Sequence, residues 1–138
     1  MNHLKKLFVL TFIVITAFAC SNDDDNSDDT TAQNQANIIG IWKWVSSTEN
    51  GTDIPLDECE ILFTLTITSA QVTSTDFYGV DCTMVDTFTV DYTINGNTVS
   101  ITEEGETYTS EITTLNSTTL TIKEVDGSDV YTDTYTRQ

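Results

Sequence analysis

The residues in this sequence that could do chemistry are three cysteines, one histidine and a large excess of carboxylates. The cysteines are Cys20, Cys59 and Cys82, the histidine is His3, and 22 aspartates and glutamates face five lysines and arginines. A serine or cysteine nucleophile needs a base held beside it, most often an imidazole. His3 is the only imidazole and sits in the N-terminal leader. Glycoside cleavage needs two carboxyl groups fixed across a cleft. The adjacent pairs Asp57/Glu58 and Glu103/Glu104 fall in loop-like segments, where water keeps their acidity ordinary. No glycine-rich phosphate loop is present. Clustered carboxylates could collect Ca²⁺, but no loop carries a calcium-binding pattern. The expectation is a protein that is not an enzyme, with no catalytic residues, no cofactor and no metal.

Cys20 belongs to a different chemistry. The chain opens MNHLKK and continues with an apolar run over residues 7–19, too short to span a bilayer as a permanent helix. Ala17 and Ala19 precede Cys20, and SNDDDNSDD follows it. This resembles a bacterial lipoprotein signal, in which the cysteine is lipidated and becomes the mature N-terminus. The acidic run resembles the tag of surface-exported lipoproteins in Bacteroidetes-type bacteria. The resemblance implies a signal peptide over 1–19 and membrane attachment through lipid on Cys20. It places the protein at the outer membrane, exposed on the cell surface or, alternatively, on the periplasmic face. Residues 20–37 then read as a disordered acidic tether, since so polar a run cannot bury enough to fold. In such an oxidising compartment Cys59 and Cys82 are expected to form a disulfide, with two free thiols as the alternative.

Removing the leader leaves only Lys43, Lys123 and Arg137 against all 22 acids. So acidic a chain excludes nucleic acid as a partner, because that binding needs cations to displace counterions. Docking of the domain surface on anionic lipid is excluded for the same reason.

The elements that position these residues alternate with period two. Phe63, Leu65 and Ile67 alternate with threonines, as do Phe88, Val90, Tyr92 and Ile94. This is the pattern of strands with one buried and one wet face. Eight strands are predicted, near 39–48, 60–68, 71–78, 85–94, 97–102, 106–114, 118–125 and 130–137. Turn signals such as Asn95-Gly96 separate them. Short hairpins pair sequence neighbours, and closing the sheet removes its two edges. The predicted fold is all-β, an eight-stranded antiparallel up-and-down barrel over residues 38–138. A turn near Ala70 would put Cys59 opposite residue 81, one place from Cys82.

Gly40-Ile41-Trp42 on the first strand and Tyr135-Thr136-Arg137 on the last resemble the lipocalin-like domains of Bacteroidetes outer-membrane lipoproteins. The resemblance implies that Gly40, Trp42 and Arg137 close one end of the barrel, with the arginine packed over the indole. It also implies a small hydrophobic ligand in the other half, with Trp44, Tyr92, Tyr108 and Tyr131 expected to line its pocket. The alternative is a filled barrel that contacts a protein or glycan partner through loops, with Ile54, Pro55, Leu56, Phe77 and Tyr78 as candidates. The loops 49–58, 79–84, 103–106 and 126–129 are acidic and share one end; the opposite turns carry no charge.

Overall fold

The computed structural model describes residues 26–138. The apolar leader and Cys20 lie outside the described residues, and the lipidation expected of Cys20 with them. Among the described residues nine strands form one antiparallel sheet: β1 (Gly40–Glu49), β2 (Thr52–Ile54), β3 (Thr64–Ile67), β4 (Gln71–Tyr78), β5 (Met84–Asn95), β6 (Thr98–Glu103), β7 (Glu106–Leu115), β8 (Thr119–Asp126) and β9 (Asp129–Arg137). From β3 onward each strand pairs with the next, and β9 returns to β1 to close an eight-stranded up-and-down barrel. The ninth strand, β2, is a short return of the chain that caps the far edge of β1 through Ser47–Ile54 and Glu49–Thr52.

The closing register sets Trp42 opposite Arg137 and Glu49 opposite Tyr131. A bulge between Trp44 and Ser46 shifts the alternation of β1 by one residue, so Ser47 joins the inner face. The outer face is laced by threonines, with hydroxyl pairs Thr73–Thr89 at 2.8 Å and Thr102–Thr107 at 3.1 Å. These are the β-branched polar residues that suit a wet strand face.

Three segments depart from the sequence reading. Residues 60–62 form a single 3-10 turn rather than the start of a strand, so β3 has only four residues. The 3-10 turn is tied by the Asp57 side chain, which accepts from the backbone N–H groups of Cys59 and Glu60 at 2.8 Å. Second, β5 is twelve residues long, yet only Tyr92–Asn95 pair with β6. Met84–Asp91 pair with β4 alone, which opens a seam between β5 and β6.

Third, Asn26–Asn37 form a helix, α1, where the sequence suggested continuing tether. The helix has no apolar stripe to reveal it. Polar contacts hold it to the β5–β6 turn: Asn34 Nδ2 donates to the Gly96 carbonyl and to Asn97 Oδ1, both at 2.9 Å. The Gly96 backbone N–H donates to Thr31 Oγ1 at 2.7 Å. No helix among the described residues is long and apolar enough to cross a membrane.

The two ends of the barrel differ. At the base lie the start of β1, the turns 68–71, 95–98 and 115–119, and the end of β9. The mouth carries the acidic loops. The fully buried residues Ile38, Trp42 and Leu120 pack with Ile67, Ile94, Val99 and Ile112 in the base half.

Candidate functional site

The base is shut by one arginine. The Arg137 guanidinium lies 4.1 Å from the Trp42 ring centroid and donates to the carbonyls of Asn37, Ile39 (2.7 Å) and Ser117 (3.0 Å). The Trp42 indole N–H donates to the Ile38 carbonyl at 2.7 Å. Gly40, at φ +152°, lets the arginine approach, because a Cβ there would collide with the guanidinium. Every polar group of this constellation is occupied, so it closes the barrel and offers nothing to a ligand.

Cys59 and Cys82 are bonded, with Cα atoms 5.2 Å apart. The bond does not join paired strands, as a longer strand would have required. It joins the 3-10 turn before β3 to a second one at Val80–Cys82, and so pins the β4–β5 hairpin at the mouth. Around it Ile61, Leu62, Val80, Met84 and Val85 are exposed. Of the apolar loop residues expected from sequence, Pro55 is exposed, while Ile54, Leu56, Phe77 and Tyr78 are half-buried.

The four residues expected to line a pocket are spread over the barrel's height. Trp44 lies mid-barrel, edge-on to Phe63 with centroids 5.6 Å apart, and its N–H donates to the Ser46 carbonyl at 3.1 Å. Tyr92 is buried and its hydroxyl points to the base, donating to the Thr68 carbonyl at 2.7 Å. Tyr108 and Tyr131 point to the mouth, donating to Glu106 at 2.8 Å and Glu49 at 3.2 Å. The Glu106 hydrogen bond pushes the Tyr108 phenol above its ordinary range.

The mouth half of the interior is polar, and sequence reasoning missed it. Strand pairing carries Asp133 onto the face of Ile122 and Ser47, and Glu124 onto that of Tyr131. Ser74 shares a face with Leu65 and Phe88, and Asp76 faces Asp86. The signal was in the sequence: the parity that makes Tyr131, Tyr135 and Arg137 inward makes Asp133 inward too. The same parity puts Glu124 with Leu120 and Ile122, and Ser74 with Val72.

These groups perturb one another. Burial raises the Glu124 pKa, with Asp133's charge adding to it, while a 2.8 Å hydrogen bond from Ser110 opposes it. Burial raises that of Asp133, against the pull of the Ser47 hydroxyl and the Trp44 indole. Asp76 is raised by burial and then by Asp86. Tyr135, fully enclosed, is raised well above its ordinary value by burial and then by Asp133, Glu124 and Asp76. One phenol senses all three carboxylates because all three face one space. The Ser74 hydroxyl, only 5% exposed, and Asp133 Oδ1 have no hydrogen-bond partner among the described residues. No group of three potential ligands among the described residues could hold a metal ion.

Inward residues of the mouth half remain open to solvent: Phe88 is 40% and Met84 53% exposed, against 0% for Trp42 and Leu120 below. A separate cavity of about 200 Å³ lies where β5 and β6 part, lined by Asp91, Tyr92, Thr93, Ser100 and Thr102.

Comparison with known proteins gives a consistent picture. A family model described as a lipocalin-like domain matches residues 38–122, from the start of the barrel into β8. A lipocalin-like protein from Bacteroides uniformis has a similar crystal structure, with a TM-score of 0.58 at 13% identity. The match covers 74% of this chain and 99% of that one. An uncharacterized protein from Bacteroides eggerthii follows with a TM-score of 0.54 at 10% identity, covering 72% and 98%. At such identities the likeness is one of fold. No curated protein matches.

Proposed function

Since the chain belongs to the lipocalin-like family, we propose that it is a non-enzymatic binding protein that holds a small molecule in the mouth half of its barrel. The observation that carries this reading is the contrast between the two halves. The base is packed solid, while inward side chains above it, Phe88 and Met84 among them, keep a large share of their surface exposed. An eight-stranded barrel has room for side chains or for one small ligand. The ligand's apolar body would lie against Trp44, Phe88, Val90 and Ile122, with Tyr108 and Tyr131 nearer the rim. Tyr92 serves the base instead.

The non-enzymatic part draws on the residues available. Among the described residues there is no imidazole, and both thiols are bonded to each other. The anchoring part draws on the sequence: a leader ending at Cys20, lipidated there, would hold the protein at the outer membrane, facing the cell exterior.

Native mass spectrometry of the protein taken from its own membrane tests the binding. A non-covalent adduct is expected, and a clean apo mass overturns it. Cys20→Ser should abolish the lipid mass and release the protein from the membrane. Protease shaving of intact cells should degrade a surface-exposed barrel and spare a periplasmic one. A second reading draws on the exposed apolar group beside the disulfide, Ile61, Leu62, Val80, Met84 and Val85. There a protein or glycan partner could dock, and chemical cross-linking on whole cells would capture it.

A further inference from the structure

The mouth half of the barrel has an unbalanced charge. Asp133 on β9, Glu124 on β8 and Asp76 on β4 face the interior, joined towards the rim by Asp86 on β5, Glu49 on β1 and Glu103 on β6. Among the described residues no lysine or arginine opposes them. Lys123 lies on the outer face, bonded to Glu111 at 2.8 Å. Lys43 lies between the inward Trp42 and Trp44 and so points outward, and Arg137 is committed to the base. A buried carboxylate without a countercharge is costly, and it either takes a proton or finds a cation. On the face that carries Asp76 the Ser74 hydroxyl is buried and, among the described residues, unpartnered, although a buried hydroxyl nearly always has a partner. One oxygen of Asp133 is in the same state. The arrangement does not suit a bare metal ion, since no three potential ligands converge.

We propose that the mouth half holds a small organic cation, its ammonium group taken by Asp133 and Glu124 and donating to Ser74, and its apolar body lying against Trp44, Phe88 and Ile122. The proposal rests on the binding function above and names the chemical class of the ligand. An ammonium has three N–H donors and no acceptor, which matches a wall of carboxylates and a hydroxyl able to accept. Aromatic faces nearby favour a cation further. The acidic mouth loops would raise the local concentration of cations and repel carboxylates such as fatty acids.

The test uses three compounds of similar size and shape: 2-phenylethylamine, 2-phenylethanol and 3-phenylpropanoate. Each is titrated into the full chain in detergent, and tryptophan fluorescence reports binding. The amine is expected to bind at least tenfold more tightly than the alcohol, and the carboxylate least. Asp133→Asn with Glu124→Gln should cost the amine tenfold or more and leave the alcohol within twofold. Equal or better binding of the alcohol or carboxylate overturns the cation inference and leaves the binding function standing. No binding by any of the three, with a clean apo mass from the membrane, overturns both. Should the substituted chain fail to fold, the unaltered protein decides. Amine affinity must fall between pH 7 and pH 4.5 as Glu124, Asp133 and Asp76, each raised by burial, take up protons beside the facing carboxylates Asp86, Glu49, Glu103 and Glu106, while alcohol affinity holds. The phenols of Tyr92, Tyr108, Tyr131 and Tyr135 stay neutral throughout that range. An amine affinity that does not fall overturns the inference.

Discussion

A single arginine side chain ties three separate pieces of the barrel base together. The Arg137 guanidinium stacks on Trp42 while bonding the carbonyls of Asn37, Ile39 and Ser117. Arg137→Ala should cost about 1–3 kcal/mol in urea unfolding, combining a cation–π contact with hydrogen bonds that water can partly replace. Gly40→Ala should cost a similar amount by pushing the guanidinium off the ring, and near-ultraviolet circular dichroism of the Trp42 band should weaken. The interior carboxyls make a different prediction. For Asp133 and Glu124 the folded pKa lies above the unfolded value, so the native state binds protons more tightly. Their contribution to stability is complete below about pH 4 and is lost as pH rises through the raised values. Unliganded protein should therefore unfold at lower urea at pH 7 than at pH 5. Asp133→Asn with Glu124→Gln should flatten that slope and stabilise the unliganded protein at pH 7. The double substitution separates this effect from general repulsion among the other carboxylates, which it leaves in place.

At the scale of elements, the strands were legible because alternation is strong and the hairpins are short. The closing pair was legible too, Trp42 meeting Arg137 as the resemblance implied. Helix α1 was not legible, since its hold on the barrel is polar and local: Asn34 and Thr31 on the Gly96 turn. Asn34→Ala should lower the helical signal in far-ultraviolet circular dichroism and cost the barrel about 1 kcal/mol or less. The shortness of β3 was hidden for a related reason. Ile61 and Leu62 have the residue types of a strand, but the Asp57 side chain draws them into a turn. The disulfide then secures a hairpin that β6 leaves half unpaired. A loop with a sequence separation of 23 contributes about 3 kcal/mol in the chain-entropy model. Reduction should cost about that much. Amide exchange should quicken first in Met84–Asp91, which pair on one side only, and last in β8 and β9.

For the whole molecule, the polarity of the barrel governs what it can meet. Apolar residues and helix α1 occupy one end; acids occupy the other, both in the loops and inside. The outer distribution was readable from loop sequences. The inner one needed pairing register, because a carboxylate in a strand reads as wet-face until its neighbours across the ladder are known. The bulge at Trp44/Ser46 shows why register mattered: it alone turns Ser47 towards Asp133.

The pairing of β1 with β9 also fixes when this protein can fold. The two strands meet across almost the whole domain, so the ring cannot shut until Tyr135–Arg137 have been synthesised. Contacts between such distant positions form slowly, after much chain entropy has been given up. A growing chain, lacking β9, would leave Trp42 uncovered and β1 and β8 each with an open edge. Closure of the ring is therefore a late event in the life of the chain.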